Sequence, residues 1–342
     1  MKIFTNNMNT MIFLTLMMLS IMIGLMTNSF IYIWICLEIN MMSFIPLTIF
    51  NNKKFNDTAM KYFIIQSLGS SLYLYFMLIS MIYSKNYSIF WMIIMSLLIK
   101  MGMFPFYLWY INIIKKMSWF NNFLLLTFQK ILPLYIMNMM MSNLMSPNNF
   151  LIFQIYFILI LFNAIFSIMM IYKINSIKIL LTLSSLNHMS WLMYIINYNL
   201  KMFTFYYLIY SLTLFNLTYI FLFFKMKNLN NLYTMNNMNF KIYLIILMMT
   251  LMSFPPLFGF FTKSYSTMLF IQNNSLYLIY MLMLTSIIMT FFYFKIFIPS
   301  IMINLKNFKN NNKFKNNNFF KKIIILNIIF ISIMTIFYWM MS

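Results

Sequence analysis

The chain has 342 residues, 63% of them hydrophobic and 7% charged, and 23 basic residues face two acids for a formal net charge of +21. That much apolar surface cannot be hidden inside a soluble domain, because part of it must face solvent in any fold. One cysteine (Cys36) and one histidine (His188) exclude an internal disulfide, an iron–sulfur cluster held by this chain and a self-contained zinc site.

Eleven apolar segments follow in chain order, at 9–27, 29–50, 58–83, 87–114, 121–142, 149–172, 176–198, 202–224, 242–271, 275–298 and 323–341. A run of about 20 apolar residues is long enough to cross the hydrocarbon of a bilayer. The predicted fold is therefore all-α, a polytopic membrane protein forming a single membrane domain over 1–342. The first segment lacks a small-residue cleavage site and is followed by ten more, so it reads as a mature helix rather than a signal peptide. The Asn/Lys-rich stretch at 299–322 reads as a solvated loop before the last span.

All the basic residues are lysines, and they support this map. If the connections alternate between two sides starting at the N-terminus, Lys2, Lys53, Lys54, Lys61, Lys115, Lys116, Lys173, Lys178, Lys225, Lys227, Lys241, Lys295, Lys306, Lys309, Lys313, Lys315, Lys321 and Lys322 share one side. Only Lys85 and Lys201 fall on the other. The positive-inside rule then places the N-terminus inside and the C-terminus outside. Lysines that punctuate apolar runs, with no arginine among them, argue against nucleic acid as a partner.

Three lysines remain inside apolar segments: Lys100, Lys130 and Lys263. Beside them stand Glu38, in the second segment, and His188, in the seventh. A charge near the bilayer centre costs about 3 kcal/mol or more, so such residues usually face the protein interior and serve a pathway or a pair. Structural readings exist as well: an ion pair for Glu38 and Lys100, a snorkelling Lys130, a hydrogen-bonded core His188 and a loop position for Lys263.

Segments 87–114 and 242–271 are too long for a simple span, and each carries helix-breakers near its middle. These are Gly102 and Pro105 in LLIKMGMFPFYLW, and Pro255, Pro256 and Gly259 in LMSFPPLFGFFTKS. Unpaired backbone at membrane depth is tolerated only when buried in protein or lining a wet cavity. Paired interrupted helices point to a transport site. The broken helices are the fourth and ninth, and an odd offset of five predicts two inverted five-helix repeats, 9–142 and 149–298, plus a C-terminal helix at 323–341.

Valine and arginine are absent, and Ile, Met, Phe, Asn, Lys and Leu dominate. This is a vocabulary of A/T-rich codons, and the 41 methionines fit a code that reads ATA as Met, as animal mitochondria do. The blocks LEINMMSFIPL, KYFIIQS, LLIKMGMFPFYLW, LTFQKILPLY, LTLSSLNHMSW and LMSFPPLFGFFTK resemble, in order, those of the mitochondrial NADH dehydrogenase subunit 2 family, antiporter-like subunits of respiratory complex I. The resemblance covers the second to the ninth segment.

It implies proton translocation in a complex that passes electrons from NADH to ubiquinone. Glu38, Lys100, Lys130, His188 and Lys263 would be its proton pathway. Flavin, iron–sulfur clusters and ubiquinone would sit in partner subunits, with no cofactor or metal in this chain. It further implies a mitochondrial inner-membrane location, the N-terminus in the matrix and the C-terminus in the intermembrane space. Its neighbours would be other membrane-arm subunits, including antiporter-like ones, and phospholipids. Two departures stand out: Tyr107 occupies a position where the family commonly has histidine, and eleven helices fall short of the fourteen of bacterial relatives. A sodium/proton antiporter subunit and a non-pumping scaffold subunit are the alternative readings.

Overall fold

A computed structural model describes residues 8–50, 57–83, 87–144, 150–174, 176–233, 238–255 and 257–307. The helices are α1 (Met8–Met26), α2 (Phe30–Phe50), α3 (Asp57–Ile82), α4 (Tyr87–Met101), α5 (Tyr107–Lys116), α6 (Trp119–Leu126), α7 (Phe128–Leu144) and α8 (Phe150–Met169). They continue with α9 (Ile177–Tyr198), α10 (Leu200–Phe223), α11 (Asn230–Tyr233), α12 (Met238–Met252), α13 (Phe258–Gln272) and α14 (Leu276–Asn307). No strand forms among the described residues beyond one isolated antiparallel bridge, Ser176 to Asn228.

Among the described residues, seven helical stretches are long and apolar enough to cross a membrane, one of them Trp119–Ser142 across α6 and α7. Large apolar side chains such as Tyr32, Met60, Leu68 and Ile287 are exposed along them, as a lipid-facing surface requires. Many serine and threonine hydroxyls in the helices donate to the carbonyl three or four residues back, for example Ser20 to Met17 and Thr218 to Leu214. This back-bonding lets a hydroxyl sit in an apolar setting without an unmet donor.

Three predicted segments are split. The fourth becomes α4 and α5, and the ninth becomes α12 and α13. The fifth becomes α6 and α7, a break not anticipated from sequence. There Thr127 leaves the helical region (φ −117°, ψ −87°). Tyr207 of α10 donates to the Thr127 carbonyl at 2.7 Å, and Tyr210 reaches the Leu126 carbonyl at 3.5 Å. The tenth predicted segment ends at 298, yet α14 runs on through Pro299 to Asn307. The predicted loop at 299–322 is therefore helical at its start. The rest of that loop, the predicted helix at 323–341 and Pro256 lie outside the described residues.

Helix α9 is the centre of the molecule. It packs against α5, α7, α8, α10, α13 and α14, and every residue from Leu180 to Ile196 is buried. Its sequence explains this position. Thr182, Ser184, Ser185, Asn187, His188 and Ser190 lie within three turns, too polar a stretch to face lipid on any side.

Candidate functional site

The first break replaces a helical hydrogen bond with two side-chain bonds. α4 closes on a residue in the left-handed region, Gly102 at φ 65°. The Gly102 N–H donates to the Ile99 carbonyl at 3.2 Å, and the Met103 N–H to the Leu98 carbonyl at 3.1 Å. This is the hydrogen-bond pattern of a Schellman helix end, for which glycine is the usual choice. A Cβ at Gly102 would also stand 2.6 Å from that of Tyr110.

In an unbroken helix the Phe104 N–H would donate to the Lys100 carbonyl. Instead, Gln66 Nε2 of α3 donates to the Lys100 carbonyl at 3.0 Å. The Phe104 N–H donates to Asn163 Oδ1 of α8 at 3.2 Å. Replacing Gln66 with leucine is expected to destabilise the fold by about 1–3 kcal/mol, the cost of a buried carbonyl left without a donor. The midpoint of thermal unfolding of the purified assembly checks this.

The second break repeats the pattern with different residues. Ser253, not a glycine, takes the left-handed position at φ 61°. Its N–H donates to the Thr250 carbonyl and that of Phe254 to the Met249 carbonyl, both at 3.1 Å. Schellman-type ends with the same bonds also occur at Lys225 and Asn274. What sets the two breaks apart is the turn that follows: Phe106 N–H to Met103 carbonyl at 2.7 Å, and Leu257 N–H to Phe254 carbonyl at 2.8 Å. In this register Gly102 matches Ser253, and Phe104 matches Pro255. Gly259 has a different task, because a Cβ there would lie 1.9 Å from the Thr250 carbonyl oxygen. It lets α13 return against the end of α12.

The buried charges gather along the axis these breaks define. Lys100, the second-last residue of α4, is buried, and Glu38 of α2 is half-buried within electrostatic reach of it. The two side chains do not form an ion pair within 4.0 Å. Gly69 of α3 makes room for the lysine stem, since a Cβ there would sit 2.9 Å from Lys100 Cγ. Lys130 of α7 is 1% exposed. Its Nζ lies 3.4 Å from Ser185 Oγ and 4.7 Å above the Tyr110 ring. Its neighbour Gln129 accepts from Tyr62 at 3.2 Å and donates to Asn40 Oδ1 at 2.9 Å, which ties α7 to α3 and α2.

His188 is buried on α9, with Nδ1 2.9 Å from the Tyr206 hydroxyl and its ring 5.1 Å from that of Tyr210. Lys130 and Lys263 both lie within electrostatic reach of it. Lys263 sits inside α13, with Nζ 5.7 Å from the Trp191 ring centroid, so it is a buried residue and not a loop lysine. The chain of groups thus runs from Glu38 and Lys100, past Tyr110, to Lys130 and Ser185, then His188 and Lys263. Tyr107, by contrast, lies at the start of α5 with its ring tilted against that of Phe166 (centroids 5.7 Å apart). The Tyr110 hydroxyl lies near Ser185, and the buried Trp191 Nε1 has no hydrogen-bond partner among the described residues. Unmet buried polar groups of this kind are natural places for water.

The matching family over residues 27–290 is described as NADH:quinone oxidoreductase/Mrp antiporter, transmembrane. The chain belongs to this family. Among curated relatives, NADH-ubiquinone oxidoreductase chain 2 of Anopheles gambiae is 34% identical over 146 residues, 40% of this chain and 42% of the relative. The protein of the same name from Sus scrofa is 31% identical over 154 residues, 41% of this chain and 44% of the relative. The aligned stretch thus spans about two fifths of the relatives' length. Among solved structures, a chain of respiratory complex I from Thermus thermophilus superposes with a TM-score of 0.75 at 15% identity, covering 86% of this chain and 71% of that one. A chain of the Mrp complex from Dietzia superposes at 0.71 and 12% identity, covering 83% and 59%. This chain shares its fold with both of these solved chains.

Gln66, Gln129, Asn163, Tyr206 and Tyr207 were not singled out from sequence. Their one signal was a polar side chain within an apolar run. Asparagine is too common in this chain for that signal to stand out.

Proposed function

We propose that this chain is a membrane-arm subunit of NADH:ubiquinone oxidoreductase that carries protons while electrons pass through partner subunits. The observation that carries this reading is the set of buried lysines Lys100, Lys130 and Lys263 beside two broken helices, with Ser185 bonded to Lys130 and His188 within electrostatic reach of Lys130 and Lys263. Charges this deep are costly unless they are used. The relatives named NADH-ubiquinone oxidoreductase chain 2 support the complex. Flavin, iron–sulfur clusters and ubiquinone then belong to partners, which include other antiporter-like subunits, and phospholipids cover the apolar outer face.

The same reading places the chain in the mitochondrial inner membrane, N-terminus in the matrix and C-terminus in the intermembrane space. Eleven spans, arranged as two inverted five-helix units and a last helix, complete it. The matched breaks at Gly102 and Ser253 support that repeat.

The mechanism follows from electrostatics. As the Glu38 carboxylate approaches Lys100 it favours the protonated ammonium, and as it withdraws that hold weakens. Lys130 receives the proton through water near Tyr110, and Ser185 and His188 lead on to Lys263.

A sodium/proton antiporter subunit is the second reading, supported by the likeness to the Mrp complex. Mild-detergent purification from native membranes separates the two. Association with subunits carrying flavin and iron–sulfur clusters is the expected outcome, and a stable assembly free of both would overturn it. A non-pumping scaffold would show in mutants that lose these lysines with unchanged proton stoichiometry.

A further inference from the structure

The two breaks differ in one atom that changes what each can do. At the second break the residue two beyond the left-handed position is Pro255, which has no N–H to satisfy. At the first break that residue is Phe104, whose N–H is intact and could rejoin the Lys100 carbonyl if the helix re-formed. Two amide side chains prevent this, Gln66 on the carbonyl and Asn163 on the N–H. Pro105 stops α4 from running on past Phe104, but the Phe104 bond itself is only held off by hydrogen bonds that can be exchanged, whereas Pro255 removes the matching bond covalently.

Asn163 does more than hold the break. It is 2% exposed, and its Nδ2 donates to the Leu186 carbonyl of α9 at 2.7 Å. Leu186 follows Ser185, the partner of Lys130, and lies two residues before His188. One side chain therefore joins the backbone beside Lys100 to the backbone that carries the next two groups of the pathway. Asparagine suits this place because a neutral amide accepts on one side and donates on the other. Aspartate would bring a buried charge and no donor when ionised, and leucine would supply neither bond.

We propose that Asn163 is a positioning residue that couples the first helix break, next to Lys100, to the segment of α9 bearing Ser185 and His188. When the Phe104 N–H leaves Asn163 for the Lys100 carbonyl, the amide is free to turn, and its hold on Leu186 changes with it. The break and the α9 groups then move together. The proposal rests on the proton-translocation reading and adds to it a specific mechanical link.

The test uses the intact membrane complex carrying Asn163→Leu, with Lys100→Met as a parallel variant. Assembly, NADH-to-quinone turnover, protons moved per electron and hydrogen exchange in the peptide covering 102–106 are measured together. Asn163→Leu is expected to assemble and to retain turnover, with protons per electron falling to the level of Lys100→Met. Exchange at the Phe104 amide should quicken by up to about tenfold, the effect of one hydrogen bond lost. If Lys100→Met lowers the ratio and Asn163→Leu does not, the coupling role is wrong and the pathway stands. If neither lowers it, the proton-translocation reading fails and takes this proposal with it. Should Asn163→Leu not assemble, Asn163→Ser carries the test: it is smaller and cannot span both partners. A lowered ratio is expected for it, and an unchanged ratio overturns the proposal.

Discussion

Gly259→Ala is expected to prevent the chain from assembling in its complex. The added methyl group would fall 1.9 Å from the Thr250 carbonyl oxygen and 3.1 Å from the Ser253 Cα. Both are backbone atoms, so no side chain can turn aside. Relief requires α13 to move away from the end of α12, and that end is fixed by the Ser253 and Phe254 hydrogen bonds. Overpacking a core with flexible neighbours costs about 1–3 kcal/mol, and a rigid backbone neighbour puts this site above that range. Lys263 is carried by α13 and faces Trp191 of α9, so a shifted α13 would displace it and any residual assembly should also pump poorly. Native gel electrophoresis of solubilised membranes checks the first expectation: the intact complex should be depleted at least tenfold relative to the parent.

Lys100→Met is the counterpart that should spare the fold and remove the chemistry. Methionine is close to the lysine stem in shape, so the contact with Gly69 and the packing of α4 on α3 survive. The Gln66 bond survives too, because it goes to the backbone carbonyl of residue 100. Removing a buried ammonium also removes the cost of keeping it there. Normal assembly with altered proton movement is therefore the expected signature. Loss of assembly would indicate a structural role instead.

Much of this organisation was legible in the sequence, for reasons that can be traced to particular residues. Lys100, Lys130 and Lys263 stood out because a charge inside an apolar run has few benign explanations, and the structure buries all three. Gly102 stood out because glycine is rare in this chain. Its counterpart at the second break did not, because Ser253 adopts a conformation that sequence assigns to glycine. Pro255 and Gly259 were visible as breakers, but their separate tasks depend on the register of the break and on the closeness of Gly259 to Thr250, which only the fold supplies. The bend at Thr127 was hidden for a similar reason. It depends on Tyr207, which is 80 residues away in sequence. Pro299 ended the apolar pattern without ending the helix, since one lost hydrogen bond can be tolerated in a long helix. Asn163 and Gln66 were invisible as a pair. Neither residue type is diagnostic, and their shared role appears only when the broken Phe104-to-Lys100 bond is seen between them.

In the proposed function the buried lysine row moves protons, with Lys100 as its switch beside Glu38. The most direct measurement is the number of protons translocated per electron in sealed membranes, comparing the parent complex with Lys100→Met at matched rates of NADH oxidation. A lower ratio in an assembled, quinone-reducing complex is the predicted result. An unchanged ratio in such a complex would contradict the claim.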